Sequence, residues 1–182
     1  MKTGALFAGC LSMSVGVLAT AVALSAQDKY SLKVPGGVAF AEFKGYENWQ
    51  VVAVSQAGDM LAVIVGNAVT IDAYRKGSPD NGKAFPDGAK MAKIHWNTKK
   101  NEAAPGLPTI PATLHDVDFM VKASKRFADS GGWGYGAFEY RDGYVPANME
   151  DKPPQGNDAK CGFACHTVVK SRDYVFTNYG NR

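Results

Sequence analysis

The hexapeptide Cys161-Gly162-Phe163-Ala164-Cys165-His166 constrains this chain more than any other stretch. A cysteine pair followed at once by histidine is the attachment pattern of c-type haem. Each thiol can add to one haem vinyl group, and His166 is then held where its imidazole can ligate the iron. The usual spacing puts two residues between the cysteines; here there are three. Gly162 can absorb an awkward loop conformation, because it has no Cβ to restrict φ. The competing reading of the same residues is a short-loop Cys161–Cys165 disulfide.

The other end of the chain reads as an export signal. Met1-Lys2 is a minimal basic segment, residues 4–26 are almost wholly apolar and uncharged, and the first acid is Asp28. Small residues at Ala21, Ala23, Ser25 and Ala26 suit cleavage near Ala26. The apolar run is also long enough for a retained membrane anchor, since about 20 residues span a bilayer. Cleavage removes Cys10 and leaves Cys161 and Cys165 as the only cysteines, in an oxidising compartment. The division expected is a signal peptide over 1–26 and one domain over 27–182, placed in the periplasm. The formal net charge of +3 falls by one with Lys2, which is too little to argue for a nucleic-acid partner.

Short runs rich in β-branched and aromatic residues, separated by Gly, Pro and Asp, predict a β-dominated α+β domain. Expected strands cover residues 49–55, 60–65, 90–96, 117–127 and 133–140. Asn67 is placed to cap a short helix over 68–76, ended by Gly77 and Pro79. Residues 78–88, 101–111 and 144–160 read as loops, and 168–179 as a short helix or an extended tail. The expected architecture is an antiparallel sheet with a few short helices and the haem near the C-terminus. The 20 glycines and 9 prolines argue against the long amphipathic helices of a four-helix cytochrome. Small helical electron-transfer cytochromes carry the attachment motif near the mature N-terminus instead.

Four segments, taken in order, give the chain a family resemblance. They are Phe85-Pro86-Asp87-Gly88-Ala89-Lys90-Met91-Ala92-Lys93, Val121-Lys122-Ala123-Ser124-Lys125-Arg126-Phe127, Gly132-Trp133, and the haem motif followed by Asp173-Tyr174-Val175-Phe176-Thr177. In their order and spacing the chain resembles the cytochrome P-460 family. The resemblance implies a periplasmic, β-rich haem protein, often a homodimer, with a lysine bonded to a haem meso carbon besides the two thioethers. It implies oxidation of hydroxylamine to nitrous oxide or nitric oxide, with electrons passed to a soluble cytochrome. The related beta-type cytochromes c-prime share the fold, lack the cross-link and bind diatomic gases such as nitric oxide.

The resemblance matches Lys93 to the cross-linking lysine. Strand alternation puts Met91, Lys93 and His95 on one face and Lys90, Ala92, Ile94 and Trp96 on the other, and does not itself choose between Lys93 and Lys90. The resemblance also places Asp118 where the enzymes carry a distal carboxylate, usually glutamate. An aspartate there is one methylene shorter and would act as the acid–base group. Asp116 next to it reads equally as a solvated strand-edge acid. His95 and His115 are candidate sixth ligands to the iron, although a lone histidine is more often a hydrogen-bonded or surface residue. Trp133, Tyr135, Phe138, Tyr140, Tyr174 and Phe176 suit core or pocket wall.

Three readings are open at this stage. The first is a mono-haem hydroxylamine oxidase using Cys161, Cys165, His166, Lys93 and Asp118. The second is a gas-binding or electron-transfer haem protein of the same fold without the cross-link. The third is an exported β-protein with a disulfide and no haem.

Overall fold

The computed structural model describes residues 28–147 and 158–180. The expected signal peptide and part of the loop before the haem motif lie outside the described residues.

Alternating apolar residues build a six-stranded sheet in which each strand pairs antiparallel with the next in sequence. The strands are β1 Gln50–Ala57, β2 Met60–Gly66, β3 Lys90–Lys100, β4 Thr109–Lys122, β5 Trp133–Tyr140 and β6 Tyr144–Pro146. One helix, α1 Ala68–Arg75, joins β2 to β3. Asn67 caps it as expected: its side-chain oxygen accepts from the Thr70 amide at 3.0 Å.

Two differences from the sequence reading concern β3 and β4. β3 runs to Lys100 and β4 starts at Thr109, so the connector expected over 101–111 is a tight turn. Asn101 N donates to Pro108 O across it at 2.9 Å. Pro111 enters the sheet opposite Thr98, next to a break in register, where a missing amide donor costs least. At its other end β4 stops at Lys122, because the Arg126 and Phe127 amides turn back to Ala123 O. The segment read as a loop from residue 144 opens with the short strand β6, paired with β5.

Residues of the two sheet faces go to two separate cores. On one face Val63, Val65, Ala92, Ile94, Val117, Phe119, Val121 and Phe138 pack against the N-terminal segment. That segment is three short 3-10 turns, Lys29–Ser31, Phe40–Phe43 and Tyr46–Asn48. Phe40 is fully buried at its centre, edge-on to Phe119 and Phe138 at 5.0 Å each, while Phe43 stacks on Phe119 at 4.1 Å. Arg126 clamps the segment with two bonds to the Glu42 carboxylate, 2.7 and 3.0 Å. On the other face Ile64, Met91, Met120, Trp133 and Tyr135 pack against α1, Phe85, Cys161 and the tail at Tyr174 and Val175. The motif forms a single helical turn there, α2 Phe163–His166, followed by a 3-10 helix Thr167–Arg172 and an extended tail. The tail thus combines both forms that the sequence allowed.

Close packing explains one sheet glycine. A Cβ on Gly134 would meet the Phe127 ring at 2.3 Å. Gly134→Ala is expected to destabilise the fold by about 1–3 kcal/mol through overpacking, read as a lower denaturant midpoint with unchanged m-value.

Candidate functional site

Between the second sheet face and the C-terminal tail lies a cavity of about 580 Å³. Strand periodicity puts alternate residues of β3 and β4 on its wall: Met91 and Lys93 from β3, Asp118 and Met120 from β4. Lys93 and Asp118 are direct cross-strand partners. Lys90 lies on the opposite face, where its Nζ donates to Glu42 O at 2.5 Å. His166, Val175 and Phe176 close the cavity from the tail side, and Tyr135 lines it from β5.

His166 is held on three sides. Its ring lies 5.0 Å from Tyr135 and 4.9 Å from Phe176. Its Nδ1 donates to Tyr174 O at 2.6 Å, which fixes the proton on Nδ1 and leaves the Nε2 lone pair able to bind a metal. Burial lowers its pKa; the Tyr174 bond opposes that effect and the charge of Lys93 adds to it. The imidazole is therefore kept neutral, as ligation requires.

The carbonyl that orients His166 sits on an unusual backbone. Asp173 and Tyr174 both have positive φ, 50° and 62°, a region costly for residues with a Cβ. The side and main chain of Asp173 hold it there. Lys122 Nζ donates to Oδ1 at 2.5 Å, Phe85 N to Oδ2 at 2.8 Å, and Trp133 Nε1 to the Asp173 carbonyl at 2.8 Å. Lys122 is buried, and its ammonium also donates to Gly131 O and lies 5.1 Å from the Trp133 ring centre. Sequence reasoning missed this anchor. Its one signal was a lysine closing the apolar run Met120-Val121.

The cysteine–histidine motif lies against β5. Cys161 is buried and Cys165 exposed, and their sulfurs do not form a disulfide. Burial first, then the charges of Asp118 and Asp158, push the Cys161 thiol up to about 12. Gly162 has an ordinary helical φ of −88°, so conformational freedom is not its role. A Cβ there would strike the Tyr135 ring at 2.5 Å; glycine lets the motif reach the sheet.

Asp118 exposes half of its side chain, and that half faces the cavity. Protein surrounds it otherwise, and this desolvation, followed by the charge of Asp116, pushes its pKa up to about 6. Asp116 is bound by both of the other histidines. His95 Nδ1 hydrogen-bonds Oδ1, and His115 Nδ1 lies 2.7 Å from Oδ2. Neither His95 nor His115 lines the cavity.

Several features fit a flat, largely apolar group in the cavity. Its volume is within the roughly 300–1,000 Å³ of small-molecule sites. Among the described residues, the buried Tyr135 hydroxyl has no hydrogen-bond partner. Val54 and Phe176 leave apolar surface at the mouth, 60% and 50% exposed. Nε2 of a neutral, oriented imidazole and a paired-cysteine motif complete the set. This is the arrangement of a haem protein built on an antiparallel sheet. The chain belongs to the cytochrome P460 family, whose model matches residues 43–177, and membership implies a haem. No curated protein matches the chain at a significant level.

The Lys122–Asp173 pair gives a stability test. Asp173→Ala leaves a buried ammonium unpaired and is expected to cost about 3–5 kcal/mol in denaturant unfolding. The double variant Lys122→Met, Asp173→Asn is expected to cost less than Asp173→Ala alone, because no charge then stays buried.

Proposed function

We propose that the protein is an exported mono-haem c-type cytochrome that oxidises hydroxylamine to nitrous oxide or nitric oxide. The observation that carries this reading is the shared wall on which Lys93 and Asp118 face each other across β3 and β4, in one cavity with His166. In this reading Cys161 and Cys165 hold the haem by thioethers and His166 ligates it through Nε2. Lys93 supplies the further link, and its neighbours Ile64 and Asp118 in register hold its strand position. When bound, the haem supplies a redox-active iron that takes electrons from a nitrogen substrate. Each electron withdrawn from hydroxylamine is matched by a proton released. Asp118 is the group on the wall able to accept it, as a carboxylate tuned toward neutral pH. The apolar side chains of Ile64, Met91 and Val175 keep water from competing at the site. We infer further that residues 1–26 direct export to the periplasm, that a soluble cytochrome accepts the electrons, and that the protein is a homodimer.

Lys93→Ala is the deciding experiment. The variant is expected to keep its haem on the thioethers, lose hydroxylamine oxidation, and move the ferrous Soret band from far to the red back to that of an ordinary c-type cytochrome. An unchanged spectrum rules out a link from Lys93. A parent protein that binds nitric oxide but oxidises no hydroxylamine points to the gas-binding function instead.

The role of Asp118 is read by single-turnover oxidation with excess chemical oxidant. Asp118→Ala is expected to slow it at least roughly a hundredfold, with hydroxylamine binding nearly intact. A base works only when deprotonated, so the parent rate should rise with pH through about 6 and level off above it. Asp118→Glu should retain the activity and the pH profile. A near-parental rate in Asp118→Ala would refute the role.

A further inference from the structure

Protons released into a cavity with apolar walls need a way out. Behind Asp118, three titratable groups follow one another toward the surface. Asp118 Oδ2 lies 3.9 Å from His95 Nδ1, which is bonded to Asp116 Oδ1, and Asp116 Oδ2 lies 2.7 Å from His115 Nδ1. Exposure rises along the outer part of the series. The side chains of His95 and Asp116 are 13% and 18% exposed, and that of His115 is 42% exposed.

A separate observation lies in the backbone. His95 pairs with Asp116 but Trp96 pairs with Leu114, so His115 is an extra residue, bulged out of the β4 ladder. Strict alternation would send the His115 side chain to the face opposite Asp116. The bulge re-aims it, and its ring reaches the Asp116 carboxylate instead. Strand pairing alone needs no such irregularity. The two imidazoles occupy both oxygens of Asp116.

We propose that Asp118, His95, Asp116 and His115 form a proton-release path from the cavity to solvent; the direction of flow rests on the hydroxylamine reading above. Asp118 takes the proton from the substrate. His95, as the imidazolium, passes its Nδ1 proton to Asp116 while keeping the one on Nε2, and the proton on Asp118 refills Nδ1. Asp116 then passes its proton to Nδ1 of a neutral His115 that carries its own proton on Nε2, and the imidazolium so formed gives one proton to water or buffer. Only O–H and N–H bonds are made and broken, and the electrons leave separately to the oxidant. The 3.9 Å step is longer than a hydrogen bond and is closed by a water or a small side-chain rotation. The charged and titratable groups around Asp118 are Asp116, His95, Lys93, His115 and Cys161; those around Asp116 are His95, His115, Asp118 and, directly across on β5, Glu139. Burial opposes charge on Asp116, but the bonds and charges of His95 and His115 outweigh it and lower its pKa. Asp116 thus stays an anion at rest and holds a proton only in passage.

The test uses haem-loaded protein and two readouts. In the first, a stopped-flow pH jump through about 6 titrates Asp118 beside the haem, and the rate of the absorption change reports proton passage without turnover. His95→Gln and His115→Ala are each expected to slow it roughly tenfold or more in dilute buffer. Added imidazole is expected to restore His115→Ala, whose site is exposed. Asp118→Asn should abolish the response. In the second, the same variants slow single-turnover hydroxylamine oxidation by a one-electron chemical oxidant, with hydroxylamine affinity unchanged. Rates within about twofold of the parent in both histidine variants during the pH jump overturn the path. So does a parent that shows no absorption response. A pH-jump defect in a protein that oxidises no hydroxylamine sustains the path and removes the proposed activity. Normal oxidation with an indifferent pH jump does the reverse.

Discussion

The pairing of β3 with β4 positions almost everything that gives this protein chemistry. Side chains alternate along a strand, so register decides which face each residue serves. In the observed register Met91 meets Met120, Lys93 meets Asp118 and His95 meets Asp116. All six lie on the face that carries the cavity, while Ala92, Ile94, Val117 and Phe119 fill the opposite core. A slip of one residue by either strand would turn its charged residue, Lys93 or Asp118, toward the phenylalanines around Phe40. The cost of burying that charge unpaired favours the observed register.

The cavity's other wall depends on a single aspartate. Asp173 accepts from Lys122 and Phe85 and, through its carbonyl, from Trp133. These bonds join β4, β5 and the loop before β3 to the tail. They hold two consecutive residues at positive φ and so present the Tyr174 carbonyl to His166. A flexible tail would leave the imidazole free to rotate and to exchange its tautomer. The buried ion pair is thus better understood as fixing geometry than as adding stability, since such pairs barely repay their desolvation.

The site's electrostatics separate two aspartates two residues apart on one strand face. Asp116 is held low by two histidines, whereas Asp118 is raised by burial and by the charge of Asp116 itself. The same residue type can therefore serve as a fixed anion and as a titrating base. Neighbours decide between these roles, as wherever carboxylates share a site.

Much of this was legible in the residues. Alternation located the strands and put Lys93 and His95 on one face. Asn67 and Gly77 marked α1, and the cysteine–histidine motif identified the cofactor class. The lengths of β3 and β4 were not legible, because the prolines at 108 and 111 resemble a connector until a partner strand and a break in register accommodate them. Local sequence determined what each segment could be, since periodicity and turn chemistry act over a few neighbours. Only the tertiary structure put the cavity on the face of Lys93 rather than that of Lys90, turned Gly162 from a hinge into a clearance, and joined Lys122 to Asp173 across 51 positions. Those outcomes depend on which surfaces meet, and contact between residues distant in the chain is set by packing the whole sheet at once.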